Sequence, residues 1–139
     1  MCQSEESNPH LFIHCSLAQD LWSLLVQLFG FQWVTPPLVT VLISSYHVPY
    51  WPKAGRTLWK AAMAATIWVI WLERNARIFQ GRKKEVPTLF HKVTSLVIFW
   101  ASNHKVFSEI SVNTFLSQWE NTLNLQPHKV QRPNNWLPP

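Results

Sequence analysis

Residues 56–80 read RTLWKAAMAATIWVIWLERNARIFQ, and this stretch decides the fold class. It is rich in Ala and stays apolar nearly all round the helical wheel between Ala61 and Leu72. Such a helix belongs in the middle of a bundle, because no face of it is suited to water. Its apolar run, residues 61–72, is 12 residues long, whereas a membrane span needs about 20. The last turns are amphipathic, with Glu73 four residues before Arg77 in the favourable order for a surface pair. Gly81 is a natural stop, and Arg74, Arg77, Arg82, Lys83 and Lys84 cluster at the negative end of the helix dipole.

Toward the N-terminus, residues 16–30 read SLAQDLWSLLVQLFG. Ser16 followed by Gln19 has the spacing of a capping box, and Leu17, Leu21, Leu24, Leu25 and Leu28 fall on one face. Gly30 closes that helix. Between the two helices, Pro36 and Pro37 can open a short helix over 37–45, although Val39, Val41 and Ile43 alternate as in a strand. Residues 49–52, PYWP, read as a rigid loop. Toward the C-terminus a helix follows Pro87, with Leu89, Phe90, Val93, Leu96, Val97 and Trp100 on one stripe. A fifth starts at Asn113, with Phe115, Leu116, Trp119 and Leu123 in register. Residues 126–139 are Pro-rich and read as disordered. The fold class is therefore all-α: a small bundle of about four to five helices over 16–125, preceded by a Cys/His segment over 1–15.

At 139 residues the chain fits one domain and can bury a sizeable core. It is 47% hydrophobic with nine Trp, but only 14% charged, against about 25% in ordinary soluble domains. That balance implies an apolar surface that a neighbouring domain or a second copy would cover. Twelve Lys and Arg against seven Asp and Glu give a net charge of +5, which favours polyanionic partners. Two cysteines with neither a basic n-region nor an apolar h-region before them point to a reducing, intracellular setting, nuclear or cytoplasmic, without export.

Residues 1–15, MCQSEESNPHLFIHC, hold both cysteines and two of the six histidines. Structural zinc takes four tetrahedral thiolate and imidazole ligands. Cys2, His10 and Cys15 supply three, and His14 is poorly placed as a fourth because it is adjacent to Cys15. On spacing alone, two unrelated thiols and two polar loop histidines account for the stretch better than a metal site does. Catalysis fares worse. Two-metal polymerase and nuclease chemistry needs clustered carboxylates, and the chain offers a single Asp, Asp20, and scattered Glu residues. A His14–Cys15 nucleophile pair has poor geometry and no third group to orient it. The glycines Gly30, Gly55 and Gly81 are isolated, so no phosphate-cradling loop is present. The basic set Arg74, Arg77, Arg82, Lys83 and Lys84 could meet phosphates together, or could simply complement its own helix dipole. The tryptophans could stack on bases, but at helical spacing Trp59, Trp68, Trp71, Trp100 and Trp119 read better as core or as a domain interface.

Taken together, CQSEESNPHLFIHCSLAQDLW (residues 2–22) and AATIWVIWLERNARIF (residues 64–79) resemble the zinc-binding region of plant non-LTR retrotransposon reverse transcriptases. The family pattern is a Cys-x-x-Cys pair, a Glu-containing spacer, His-Leu-Phe, a further Cys and a helix containing Leu-Trp, followed later by a segment like Ile-Trp-Leu-Glu-Arg-Asn. The resemblance covers roughly residues 2–30 and 56–120. It implies Zn²⁺ as cofactor, with Cys2, His10 and Cys15 as ligands and the pair's first cysteine upstream of Met1, hence a truncated knuckle. It further implies a non-catalytic module that helps a neighbouring polymerase or RNase H domain grip RNA or DNA. The alternative is a helical fragment with no specific ligand, associating with itself or another protein through a Trp/Leu-rich face.

Overall fold

The computed structural model describes residues 5–30, 34–44 and 53–105. Among them the regular structure is entirely helical. A single π-helical turn spans His10–His14, followed by α1 (Ser16–Leu28), α2 (Val39–Ser44), α3 (Lys53–Gln80) and α4 (Val86–Ser102). The fifth helix expected from Asn113, the Pro-rich segment 126–139 and Cys2 lie outside the described residues, so the expected boundaries at 125 and 126 do too.

The long helix forms where expected and starts three residues earlier than Arg56, at Lys53. At 28 residues it is about 42 Å long, long enough to carry the rest of the fold along one side. α4 returns along it after the connection 81–85, and this helical hairpin is the largest packing interface among the described elements. The turn is made by Gly81 at φ +61°, a left-handed conformation that costs an L-residue with a side chain about 1–2 kcal/mol. Gly30 does the same after α1, at φ +71°.

α1 lies across the hairpin, touching both α3 and α4, and buries Leu17, Ala18, Leu21, Trp22 and Leu25 there. Opposite them stand Leu58, Trp59, Ala62, Val69 and Ile70 of α3 and Leu89, Val93 and Val97 of α4. Phe29, just past α1, meets Trp59 edge to face at 5.1 Å, the arrangement favoured by the ring quadrupoles. The buried hydroxyl of Thr66 is satisfied within its own helix, donating to the Ala62 carbonyl at 2.8 Å.

Three expectations need correcting. Ser16 is not a capping residue: α1 is capped by the extended Cys15, with no side-chain capping bond, because the preceding π-turn runs directly into it. α3 is not covered all round. Its side facing α1 and α4 is buried, while Trp68 and Trp71 remain 47% and 42% exposed on the other side. Glu73 and Arg77 do pair, but not on the surface, since Glu73 is only 3% exposed.

Candidate nucleic-acid interface

The segment that carries His10, His14 and Cys15 is helical, because Pro9 begins a turn whose Leu11 and Ile13 are drawn into the core. The Trp22 indole N–H donates to the Phe12 carbonyl at 2.8 Å and ties this turn to α1. The Cys15 N–H reaches the His10 carbonyl at 2.7 Å, an i→i−5 bond that sets the two residues one wide turn apart. Cys15 is 1% exposed and belongs to the core cluster, while His10 is half-buried. The His14 side chain is exposed, and its Nε2 lies 3.3 Å from the Pro37 carbonyl. Among the described residues no three His, Cys, Asp or Glu side chains gather as a metal site; Cys2, the remaining expected ligand, lies outside them.

The basic residues at the end of α3 divide into two groups. Arg74 points toward the N-terminal segment, where its Nη2 lies 2.7 Å from Glu6 Oε1 and its Nε donates to the same oxygen at 2.9 Å. That hydrogen bond holds the Glu6 carboxyl below its ordinary pKa. Arg77 turns inward, its Nε donating to Glu73 Oε1 at 2.6 Å. The same carboxylate oxygen accepts the backbone N–H of Lys84 at 2.9 Å, and Arg77 Nη2 lies 3.4 Å from the Lys84 carbonyl. The Arg82 N–H folds back to the Ala76 carbonyl at 3.2 Å. Two backbone N–H groups thus fasten the connection 81–85 to the last turns of α3. Its side chains Arg82, Lys83 and Lys84 all face solvent.

The sequence places these five cations together, and the structure separates their roles. Arg74 and Arg77 hold the fold, whereas Arg82, Lys83 and Lys84 form an exposed edge. Two further residues of the same region matter and are not singled out by the sequence pattern. Glu73 reads there as half of a surface pair, and only its i+11 bond to the Lys84 backbone reveals that it fixes the connection. Phe79 reads as part of a helix and a motif, yet it is 75% exposed at the helix end. A large aromatic between Arg77 and Arg82 is the signal that marks it.

A second surface lies farther along α3. Phe12, Ile43, Met63, Ile67, Trp68 and Trp71 line a shallow, largely apolar groove of about 760 Å³. Trp68 and Trp71 stack there with ring centroids 5.3 Å apart.

What the fold defines is a class, a small all-α helical protein, and among the described residues no helix is long and apolar enough to cross a membrane. Comparison with protein-family models, curated proteins and solved structures finds no match.

Proposed function

We propose that the chain is a non-catalytic nucleic-acid-binding module of the kind found in the zinc-binding region of plant retroelement reverse transcriptases. The observation that carries this reading is the fastened connection after α3, which presents Arg82, Lys83 and Lys84 side by side in solvent. Ordering the connection in advance removes part of the entropy that a floppy basic loop would lose on meeting phosphates. Arg77, already paired with Glu73, contributes by holding that edge through the Lys84 carbonyl, while Arg74 is paired with Glu6. In this reading Zn²⁺ is held by Cys2, His10 and Cys15, three of the four ligands that structural zinc takes.

Binding of this kind is electrostatic, so log K falls linearly with log salt. Retention of the reduced, full chain on immobilised single- and double-stranded nucleic acid at rising salt tests it. Substituting Arg82, Lys83 and Lys84 together with Ala is expected to lower the slope by about two to three, since each phosphate left without its cation keeps its counterion. An unchanged slope sinks the assignment. In the same preparation, Co²⁺ is expected to give thiolate charge-transfer absorption that Cys15→Ser removes; its absence removes the zinc part alone.

A second reading rests on the groove beside Trp68 and Trp71. Stacked, half-exposed tryptophans mark a contact surface, and in this reading the chain associates through it with itself or with another protein.

A further inference from the structure

We infer that the cleft between the start of α3 and the end of α4 binds a phosphorylated nucleoside, with Lys53 and Arg56 holding the phosphate and Trp100 stacking on the base. The site is separate from the Arg82–Lys84 edge and stands or falls without the nucleic-acid reading above.

The hairpin itself creates the cleft. α4 runs back along α3, so its last turn lies beside the first turns of α3. Lys53, Arg56, Lys60, Trp100 and His104 line the space between them, about 550 Å³ in volume. Ala61 and Ala101 line it too, and their short side chains leave room that larger residues would fill. A ligand-sized space of about 300–1,000 Å³ is usual for small-molecule sites, and a phosphate alone would fill only a small part of this one. The buried stripe of α4 runs through Leu89, Val93, Val97 and Ala101, with Trp100 at its edge. Trp100 is accordingly 36% exposed and takes part in no aromatic pair among the described residues.

Charge gives the second part of the argument. The helix dipole accounts for basic residues at the end of α3 but works against basic residues at its start. Lys53 and Arg56 nevertheless stand in the first turn, with no acidic residue beside them there. Neither makes an ion pair among the described residues, and no described Asp or Glu lines the cleft. The C-terminus of α4 brings about half a unit of negative charge, which the opposite half unit at the start of α3 offsets. Lys53 and Arg56 thus carry positive charge that neither helix end balances. The Thr57 hydroxyl is committed to the Lys53 carbonyl at 2.9 Å, so cations rather than neutral donors set what the cleft accepts. Arg56 offers the planar fork that suits phosphate. Positive charge beside an aromatic wall is the combination that takes a base together with its phosphate.

The test titrates the reduced, full chain with adenosine 5′-monophosphate, adenosine and ribose 5-phosphate, read by calorimetry. The nucleotide is expected to bind more tightly than either of its parts. Trp100→Leu should weaken nucleotide binding by about 5- to 150-fold, the range for one stacked base, and leave ribose 5-phosphate unchanged. Trp100→Phe, which keeps a ring, should restore most of the affinity. Lys53→Gln combined with Arg56→Gln should weaken both phosphorylated ligands by about tenfold or more. Removing cations from the first turn eases the helix dipole, so that variant should melt no lower than wild type. Equal affinity for the nucleotide and ribose 5-phosphate overturns the stacking role, and binding of none of the three overturns the site. Loss of nucleotide binding when Arg82, Lys83 and Lys84 are replaced by Ala would place the phosphate at the other end of the hairpin, and the cleft would fall. In that same triple variant, displacement of the nucleotide by oligothymidylate assigns the cleft to nucleotides within a single strand, and no displacement assigns it to free nucleotides.

Discussion

Glu73 shows how one side chain can do several jobs at once. Its carboxylate is nearly removed from water, and it neutralises Arg77 and accepts the Lys84 N–H through a single oxygen. A Gln has the same shape but no charge, and its carbonyl can still take the Lys84 N–H. Glu73→Gln therefore isolates the ionic bond and leaves the half-buried guanidinium of Arg77 without its counter-charge. Because Arg77 retains some access to solvent, the expected cost is about 1–3 kcal/mol, read from urea unfolding of the full chain. Pairing it with Arg77→Met, which leaves the net charge as in wild type, should recover most of that loss. A single variant as stable as wild type would show that the pair contributes nothing to holding the hairpin.

At the scale of elements, the N-terminal π-turn is fastened to the bundle from three sides: by Trp22 through the Phe12 carbonyl, by the burial of Leu11 and Ile13, and by the Glu6–Arg74 pair. The last of these depends on pH. Because the folded-state pKa of Glu6 is depressed by its hydrogen bond from Arg74, its contribution is complete above the unfolded carboxylate pKa. It is lost as the pH falls through the lower, folded value. Acidification should therefore release residues 5–7 before the helices melt, seen as a lower protection factor, relative to the free-peptide rate at the same pH, for the Leu11 N–H, which bonds to the Ser7 carbonyl at 2.8 Å. Glu6→Gln should give that lower protection already at neutral pH and remove its acid limb. If the variant's exchange profile matches wild type, the pair does not anchor the segment. The elements themselves are largely legible in the sequence: α1, α3 and α4 announce themselves through leucine spacing, Ala content and the stops at Gly30 and Gly81. The short α2 also falls within the expected 37–45. The π-turn is not legible, because HLFIH is too short to show a period, and its helical form depends on burying Leu11 and Ile13 under α1. The same limit explains Glu73, whose key bond crosses eleven residues to a backbone N–H and leaves no trace in spacing.

For the whole molecule, the question is what the two exposed sides of α3 do, since they ask for partners of opposite chemistry. The end bearing Arg82, Lys83 and Lys84 calls for a polyanion, and the groove beside Trp68 and Trp71 calls for an apolar surface. The low charge content already implies such a face, but the all-round apolar pattern of residues 61–72 hides which side it would be, because packing against α1 and α4 uses only part of the circumference. Salt separates the two surfaces by sign. Raising sulfate weakens attachment to phosphates through screening and counterion competition, yet strengthens apolar contacts because the salt is excluded from protein surface. Self-association through the groove should therefore grow with sulfate, read as concentration-dependent sedimentation of the full chain free of nucleic acid. Trp68→Gln combined with Trp71→Gln should abolish it while leaving the salt slope of nucleic-acid retention as in wild type, since the net charge is unchanged and the Arg82–Lys84 edge lies beyond the groove. Sedimentation that persists in the double variant would place the contact elsewhere on the surface. Loss of nucleic-acid retention in that variant would instead make the tryptophans part of the binding surface, and the division of α3 into two independent faces would fall.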